Sequence, residues 1–199
     1  MDNSTTDFYF YEAEGIINVL KENNMETKRL IIRPSVFEDC VRFAEMEGTA
    51  GVRKGFTMNK DWDYNKIAPD FVKKSLDDTC EQWTIVLKET GKIVGRVILC
   101  DINEHYDSLD ITRIYIGEDD LRGKGLGREA LEAMLAYSFD EKHMERVTLD
   151  YLTGNDASNL YRSVGFKDEG NAVHCGKKDG VYVDLHKMAI LSGEYYGRE

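Results

Sequence analysis

The chain has 199 residues, of which 42% are hydrophobic and 32% charged, and its formal net charge is −11. These values are typical of one globular domain, or of one domain with an appendage, and the length suffices to bury a core. The negative charge argues against a nucleic-acid-binding protein, because binding through phosphates requires a basic patch. It either serves solubility or attracts cationic partners.

Features of secretion, membrane insertion and zinc binding are missing from the sequence. The first eleven residues contain acidic residues and no basic cluster, unlike a signal peptide. No apolar run approaches the roughly 18 residues that a membrane-spanning helix needs. Cys40, Cys80, Cys100 and Cys175 form no Cys-x-x-Cys pair. We therefore expect a cytoplasmic protein with reduced cysteines, no membrane partner and no zinc site.

The first part of the chain predicts an extension followed by antiparallel strands and helices. Residues 1–24 combine an aromatic run with a short helical spacing, and we interpret them as an N-terminal extension to a single domain at 25–199. In chain order we then predict a strand at 27–34, helices at 37–46 and 61–76, a hairpin of 82–88 with 93–100, and a strand at 109–117.

The second part of the chain predicts strands and helices in a different order. An amphipathic helix begins at Gly125 and reaches about residue 142, and a strand at 146–151 follows. A short helix at 157–164 ends at Gly165, and residues 173–174 and 181–191 indicate a final hairpin. Antiparallel strands first, then strand–helix–strand–helix, then a hairpin predict an α+β fold with a mixed sheet rather than a regular alternation.

A glycine-rich loop that opens a helix is the strongest candidate for a binding site. Arg122-Gly-Lys-Gly-Leu-Gly127 follows the predicted strand at 109–117. The first N–H groups of a helix lack intrahelical partners and carry positive potential, so a pyrophosphate fits there. Glycine lets phosphate oxygens approach the backbone closely. Arg122, Lys124 and Arg128 reverse the acidic charge locally and favour a polyanionic ligand.

Two common phosphate loops do not fit this sequence. A P-loop needs Lys-Ser/Thr after its second glycine, whereas Gly125 is followed by Leu126-Gly127. A dinucleotide-binding fingerprint needs Gly-x-Gly-x-x-Gly in a repeated strand–helix–strand unit, whereas here the spacing is Gly-x-Gly-x-Gly after antiparallel strands. A glycine-rich turn can also do no more than start a helix.

At these residues the sequence resembles the GCN5-related N-acetyltransferase (GNAT) superfamily. Arg122, Gly125 and Gly127 match the Arg/Gln-x-x-Gly-x-Gly/Ala loop of that family. Residues 155–166 resemble its Asn-x-x-Ala-x-x-Leu-Tyr-x-x-x-Gly-Phe motif, and residues 25–34 are similar to its opening strand. The resemblance covers residues 25 to about 191. In one departure the asparagine of the family falls at Gly154, one place before Asn155, which a one-residue deletion in this loop would explain.

The resemblance implies a fold, a co-substrate and a set of contacts. The implied fold is a central, mostly antiparallel twisted sheet of about seven strands with a parallel splayed pair, flanked by helices. The implied co-substrate is acetyl-CoA. No metal is expected, because the four histidines of the chain show no metal-binding spacing. The residues implied to bind it, in chain order, are Ile114, Tyr115, Ile116, Arg122, Gly123, Lys124, Gly125, Leu126, Gly127, Arg128 and Asn155.

The resemblance also implies catalytic residues. The tyrosine that protonates the departing thiol in the family falls on Tyr161, although a tyrosine here can also be a core aromatic. Asp110 is the first candidate for a general base, with Asp150 and Glu104 behind it. Each carboxylate can instead be a solvated or paired surface group, and a base acting through a water chain would leave no mark in the sequence.

The implied activity is transfer of acetyl from acetyl-CoA to a primary amine by direct attack. Within the superfamily, the opening strand and the residue 155–166 motif look similar to the group that acetylates polyamines, aminoglycosides and ribosomal-protein N-termini. The acidic charge favours a small polycation such as spermidine as acceptor. The alternatives are a protein N-terminus and a non-catalytic acyl-CoA-binding module. The oligomeric state stays open, with a homodimer as one alternative because dimers are common in the family. Residues 47–76 and the last hairpin are expected to choose the acceptor.

Overall fold

The computed structural model describes residues 24–155 and 157–197. The predicted N-terminal extension lies outside these ranges except for Asn24. The described residues form one twisted sheet with helices on both faces.

The sheet contains eight strands among the described residues, in the order β1-β2-β3-β4-β5-β6-β8-β7. The strands are β1 (Met25–Glu26), β2 (Leu30–Pro34), β3 (Glu81–Leu87), β4 (Lys92–Asn103), β5 (Ser108–Ile116), β6 (Arg146–Leu152), β7 (Lys167–Lys178) and β8 (Val181–Leu191). All neighbours are antiparallel except β5 and β6, which are parallel. The predicted α+β class with a mostly antiparallel sheet and one parallel pair is confirmed, with eight strands instead of about seven.

Six α-helices are present in the described part of the chain. They are α1 (Asp39–Glu47), α2 (Ala50–Arg53), α3 (Tyr64–Ser75), α4 (Leu126–Ala136), α5 (Ser158–Ser163) and α6 (Ser192–Tyr196). A π-helical turn at Tyr137–Glu141 continues α4, which accounts for the long amphipathic pattern from Gly125 onward. The sequence did not predict α2 and α6, because helices of four and five residues are too short to show a helical period.

Two apolar clusters lie on opposite faces of the sheet. Helix α4 buries Leu131, Met134 and Leu135 against one face, where Ile116 of β5 also points. Helices α1 and α3 cover the other face, where Phe43 packs in the cluster that contains Tyr115. Because successive side chains of a strand point to opposite faces, β5 contributes to both clusters. Each fully buried Leu or Phe stabilises the fold by about 1.5–3 kcal/mol.

The end strand β7 is longer than the sequence predicted. It runs over Lys167–Lys178 and pairs with β8, whereas the apolar pattern marked only residues 173–174. Most of its side chains are exposed, so the strand carries no alternation of buried and exposed residues for sequence analysis to detect.

Candidate active site

The parallel strands β5 and β6 separate soon after they begin. Their pairing is confined to Ser108–Asp110 opposite Arg146–Thr148. Beyond Asp110, β5 continues to Ile116 without a pairing to β6. Backbone N–H and C=O groups on this edge are therefore open to an extended ligand, which can pair with the strand as another strand would.

A bulge in β5 decides which way its side chains point. Ile98 and Leu99 of β4 pair with Arg113 and Ile111, so Thr112 is an extra residue on β5. A bulge shifts the alternation of side chains by one position. As a result Asp110, which alternates with the core residue Ile111, points to the same face as Arg113 and Tyr115.

A cavity of about 470 Å³ lies along the end of β5 that has no pairing to β6. Eight of the residues predicted from the sequence line it: Ile114, Tyr115, Ile116, Arg122, Gly123, Gly127, Asn155 and Tyr161. Residues of α2, the segment after it, and α5 complete the wall, including Gly51, Phe56 and Leu160. The structure therefore brings the glycine-rich loop, the open edge of β5 and the predicted catalytic tyrosine to one place.

The glycine-rich loop has the backbone conformation that its sequence predicts. Gly123 and Gly125 have φ values of +71° and +82°, in the left-handed region that glycine adopts without strain. Helix α4 begins directly after Gly125, at Leu126. The first N–H groups of α4 have no partner within the helix and lie beside the cavity, an arrangement suited to a pyrophosphate.

Arg122 lies across the end of β5. Its Nε donates to the carbonyl oxygen of Ile116 at 3.1 Å, and its Nη2 donates to that of Gly117 at 3.0 Å. Its third nitrogen pairs with Asp119. The side chain is 33% exposed, so it can both hold the loop against the strand and present positive charge to a phosphate.

Four other loop residues support the cavity without lining it. The backbone carbonyl of Lys124 accepts a 2.9 Å hydrogen bond from Arg29 Nη1, and Gly125 precedes the first turn of α4. Leu126 is buried in the core below the loop. Arg128 pairs with Glu132 at 3.1 Å. Their predicted contacts with coenzyme A stay predictions.

Tyr161, the predicted proton donor, is a buried residue of the cavity wall. Its side chain is 8% exposed, and burial raises the pKa of its hydroxyl to about 12. No hydrogen bond from another described residue contributes to that shift. The hydroxyl therefore stays protonated at neutral pH, as a general acid requires.

Asn155 connects two segments of the cavity wall. Its Oδ1 accepts a hydrogen bond from the backbone N–H of Ala157 at 3.0 Å, and its Nδ2 lies 3.5 Å from the carbonyl oxygen of Gly55. The side chain lines the cavity despite its shift by one position relative to the family motif.

The candidate base Asp110 lies in a second cavity, of about 360 Å³. Its Oδ2 accepts from Thr148 Oγ1 at 2.7 Å and its Oδ1 from Thr112 Oγ1 at 3.0 Å. Burial raises the pKa of this carboxyl, and Asp150 adds to the rise. The structure does not bring Asp110 and Tyr161 into one cavity, because Asp110 precedes the point where β5 leaves β6.

The two reserve candidates for the base also lie away from the cavity that contains Tyr161. Asp150 shares the second cavity and forms a 2.9 Å ion pair with Lys187. Glu104 is exposed in the turn between β4 and β5.

Comparison with known protein families identifies the family of this chain. The family described as "Acetyltransferase (GNAT) domain" matches residues 29–167 of the chain. The chain belongs to the GNAT acetyltransferase family. This GNAT protein is an acetyl-CoA-dependent N-acetyltransferase.

Relatives of this GNAT protein include curated bacterial N-acetyltransferases. Spermidine N(1)-acetyltransferase of Vibrio cholerae is 29% identical over 130 residues, which cover 65% of this chain and 74% of the relative. Uncharacterized N-acetyltransferase YnaD of Bacillus subtilis is 25% identical over 178 residues, 86% of this chain and 99% of the relative.

Solved structures confirm the GNAT fold. The crystal structure of spermidine N-acetyltransferase from Vibrio cholerae in complex with CoA and spermine has a TM-score of 0.76 and 22% identity. The match covers 85% of this chain and 99% of that one. In the described part of the present chain, no helix is both long and apolar enough to cross a membrane.

A buried ionic cluster beside the GNAT cavity was not found by sequence analysis. Glu47, at the end of α1, is fully buried and binds Arg96 of β4 and Arg113 of β5. Arg96 is also fully buried. The signal in the sequence was an arginine within the apolar run of residues 93–100, since arginine is almost never fully buried unless it is paired.

Proposed function

We propose that the protein transfers the acetyl group of acetyl-CoA to a primary amine by direct attack on the thioester. One observation carries this proposal. One cavity is lined by the left-handed Gly123 of the glycine-rich loop, by the unpaired end of β5 and by Tyr161. The loop fits the pyrophosphate, and the open edge of β5 fits the pantetheine arm.

The residues of the chain supply two of the needs of this reaction. Backbone N–H groups on the open edge of β5 can stabilise negative charge that develops on the carbonyl oxygen as the C–N bond forms. Tyr161 can deliver a proton to the sulfur as the C–S bond breaks, which is worth about 10²–10⁴-fold in rate. The third need is a neutral amine, since a free alkylamine has a pKa near ~10.4.

Asp110 is our proposed base for the amine. The raised pKa of its carboxyl makes it a better proton acceptor than an exposed aspartate. Because it lies in the second cavity, the proton would reach it through water rather than by direct contact.

The second part of the proposal concerns the kind of amine that accepts the acetyl group. Two observations support a small polycationic amine: the net charge of −11 and relatives named as spermidine N(1)-acetyltransferases. A protein N-terminus is the second candidate, because a Bacillus subtilis relative, putative ribosomal N-acetyltransferase YdaF, is 27% identical over 115 residues. A non-catalytic acyl-CoA-binding module would have no use for the protonated hydroxyl of Tyr161.

A thiol-release assay tests the proposal. Acetyl-CoA is supplied with spermidine, putrescine, an aminoglycoside, or peptides that begin with alanine or serine. Turnover of any one of these amines supports the transfer and names the acceptor. Acetyl-CoA that raises the melting temperature without turnover would favour the binding module. If no amine is turned over and acetyl-CoA causes no thermal shift, the proposal is refuted.

A cytoplasmic location and a homodimer belong to the same proposal. Light scattering of the purified full chain measures the oligomeric state, and a monomer would contradict the homodimer.

A further inference from the structure

The buried ionic cluster beside the cavity carries one positive charge in excess. Glu47 Oε1 accepts from Arg96 Nη1 at 3.0 Å, and Glu47 Oε2 accepts from Arg113 Nη1 at 3.1 Å. The side chains of Glu47 and Arg96 are 0% exposed, and that of Arg113 is 12% exposed. Two guanidinium groups thus share one carboxylate, and a charge held away from water without a counter-charge is costly.

The carboxylate of Glu47 has no capacity left for a ligand. Besides the two arginines, it accepts hydrogen bonds from Tyr115 Oη at 3.0 Å and from Trp62 Nε1 at 2.8 Å. A carboxylate offers about four acceptor sites, and four donors occupy them here. Glu47 therefore cannot receive the ammonium group of a polyamine without losing an existing donor.

Arg113, in contrast, has unused hydrogen-bonding capacity. Its Nη1 is held by Glu47, while its Nε is buried and has no hydrogen-bond partner among the described residues. Because Nε is buried, a ligand can meet this guanidinium only at its outer Nη2 end, and a guanidinium N–H donates a charge-assisted hydrogen bond to a carboxylate. The partial exposure of the side chain leaves it within reach of a small ligand.

The cluster adjoins the cavity through aromatic rings. Tyr115 and Phe56 line the cavity, and their rings meet edge to face at 6.0 Å. The guanidinium carbon of Arg113 lies 5.9 Å from the Phe56 ring centre and 5.8 Å from that of Trp62. Rings that exclude water lower the local dielectric constant and strengthen the field of the excess charge.

Nothing in the described wall of the cavity balances this charge. The lining residues there include Arg122 but neither aspartate nor glutamate. The carboxylates that give the chain its negative charge lie elsewhere, such as Asp110 and Asp150 in the second cavity. The net charge of the whole chain is therefore a poor guide to the local charge that an acceptor meets at the thioester.

We infer that Arg113 recognises a carboxylate on the acceptor, so the substrate class is small amines that also carry a negative charge, such as amino acids and ω-amino acids. The inference rests on the proposed acetyl transfer and refines its acceptor. It makes the small polycation suggested by the relatives the second candidate for the acceptor. Arg113 acts here as a specificity residue, and the reaction of the amine with the thioester is unchanged.

Matched acceptors test the inference directly. 5-Aminopentanoate, pentylamine and cadaverine have the same chain length and carry a negative, neutral or positive group at the far end. The expected order of kcat/KM, measured by thiol release, is aminopentanoate, then pentylamine, then cadaverine, with at least tenfold between the first and the last. Aminocarboxylates of three to six carbons establish the preferred length. Cadaverine or spermidine turned over faster than every aminocarboxylate would overturn the inference and leave the proposed transfer intact.

A variant of Arg113 separates recognition from structure. In Arg113→Gln the carboxylate of Glu47 keeps Arg96, so the cluster becomes neutral and the fold is expected to survive. The activity on aminopentanoate should fall at least tenfold, while that on pentylamine and the thermal shift with acetyl-CoA stay unchanged. Lys92→Gln, which removes an exposed charge at the start of β4, should change none of these. An equal loss with pentylamine would indicate a structural role and contradict the inference.

A binding measurement decides the matter if no acceptor releases thiol. Calorimetry then follows 5-aminopentanoate binding to the protein saturated with CoA. Binding to the wild type and not to Arg113→Gln would support the anion site although the proposed transfer had failed. No binding to either protein would overturn the site as well.

Discussion

Glu129 on α4 receives two hydrogen bonds from Arg29, which precedes β2. Its Oε1 accepts from the backbone N–H of Arg29 at 2.6 Å, and its Oε2 accepts from the side-chain Nε at 2.7 Å. Arg29 also donates to the carbonyl oxygen of Lys124 at 2.9 Å. The opening segment of the domain thereby fixes both the glycine-rich loop and the first turn of α4, where the pyrophosphate is expected.

Replacement of Glu129 by alanine should loosen this loop. Hydrogen bonds to charged groups contribute about 1.5–3 kcal/mol each, so we expect a lower melting temperature and acetyl-CoA binding weakened by about tenfold. Calorimetry measures the dissociation constant. Glu89→Ala in the exposed β3–β4 turn is the matched control. Unchanged acetyl-CoA binding by Glu129→Ala would show that the loop does not depend on this contact.

Tyr161→Phe tests the proton donor. The substitution removes one hydroxyl from a residue that is 8% exposed, so the fold should be retained. Loss of general acid catalysis should lower kcat by about 10²–10⁴-fold, while the dissociation constant of acetyl-CoA stays the same. Tyr106→Phe, at an exposed position, controls for removal of a hydroxyl. A normal kcat in Tyr161→Phe would show that Tyr161 is only a core aromatic and not the proton donor.

The left-handed glycine in the loop can be tested against a glycine of the same conformation elsewhere. An alanine at Gly125, where φ is +82°, should cost about 1–2 kcal/mol of stability and crowd the phosphate site. Gly91, with φ +67° in the β3–β4 turn, should lose similar stability when replaced by alanine. Only Gly125→Ala should also weaken acetyl-CoA binding, as measured by calorimetry. Equal binding by the two variants would exclude close approach of a phosphate at Gly125.

Asp39 should make the stability of the protein depend on acid pH. Burial raises the pKa of its carboxyl, but hydrogen bonds from Arg33, Thr84 and the backbone of Val36 outweigh burial and hold the pKa below 3.8. A carboxyl with a lowered pKa in the folded state stabilises the fold above its unfolded pKa. That contribution is lost as the pH falls below 3.8 through the folded pKa.

Asp39→Asn provides the measurement. The variant leaves Arg33 without its buried partner and should unfold about 3–5 kcal/mol more easily at pH 7. Urea unfolding between pH 3 and pH 7 should show a smaller loss of stability on acidification than in the wild type. Asp78→Asn, in an exposed turn, should behave as the wild type at every pH. A pH dependence equal to that of the wild type would exclude Asp39 as its source.

The amino-acid sequence determined the features that depend on neighbouring residues. The loop from Arg122 to Gly127 is visible because positive φ values require glycine and because a helix follows directly. Local sequence patterns likewise predicted a short helix around Tyr161 and a hairpin of β3 with β4. Family membership, and with it acetyl transfer, followed from two such local motifs in the correct order.

Tertiary structure alone decided which charged groups meet beside the cavity. Glu47 and Arg113 are 66 positions apart and meet because α1 packs over the sheet at β4, beside β5. The bulge at Thr112 places Arg113 on the face opposite to the core residue Ile111, and alternation along the strand does not predict such an extra residue. Asp110 was named from the sequence, yet its cavity follows from the point where β5 and β6 separate. The net charge at the site depends on which charged side chains pair over long distances in the sequence, and the composition of the chain does not contain that information.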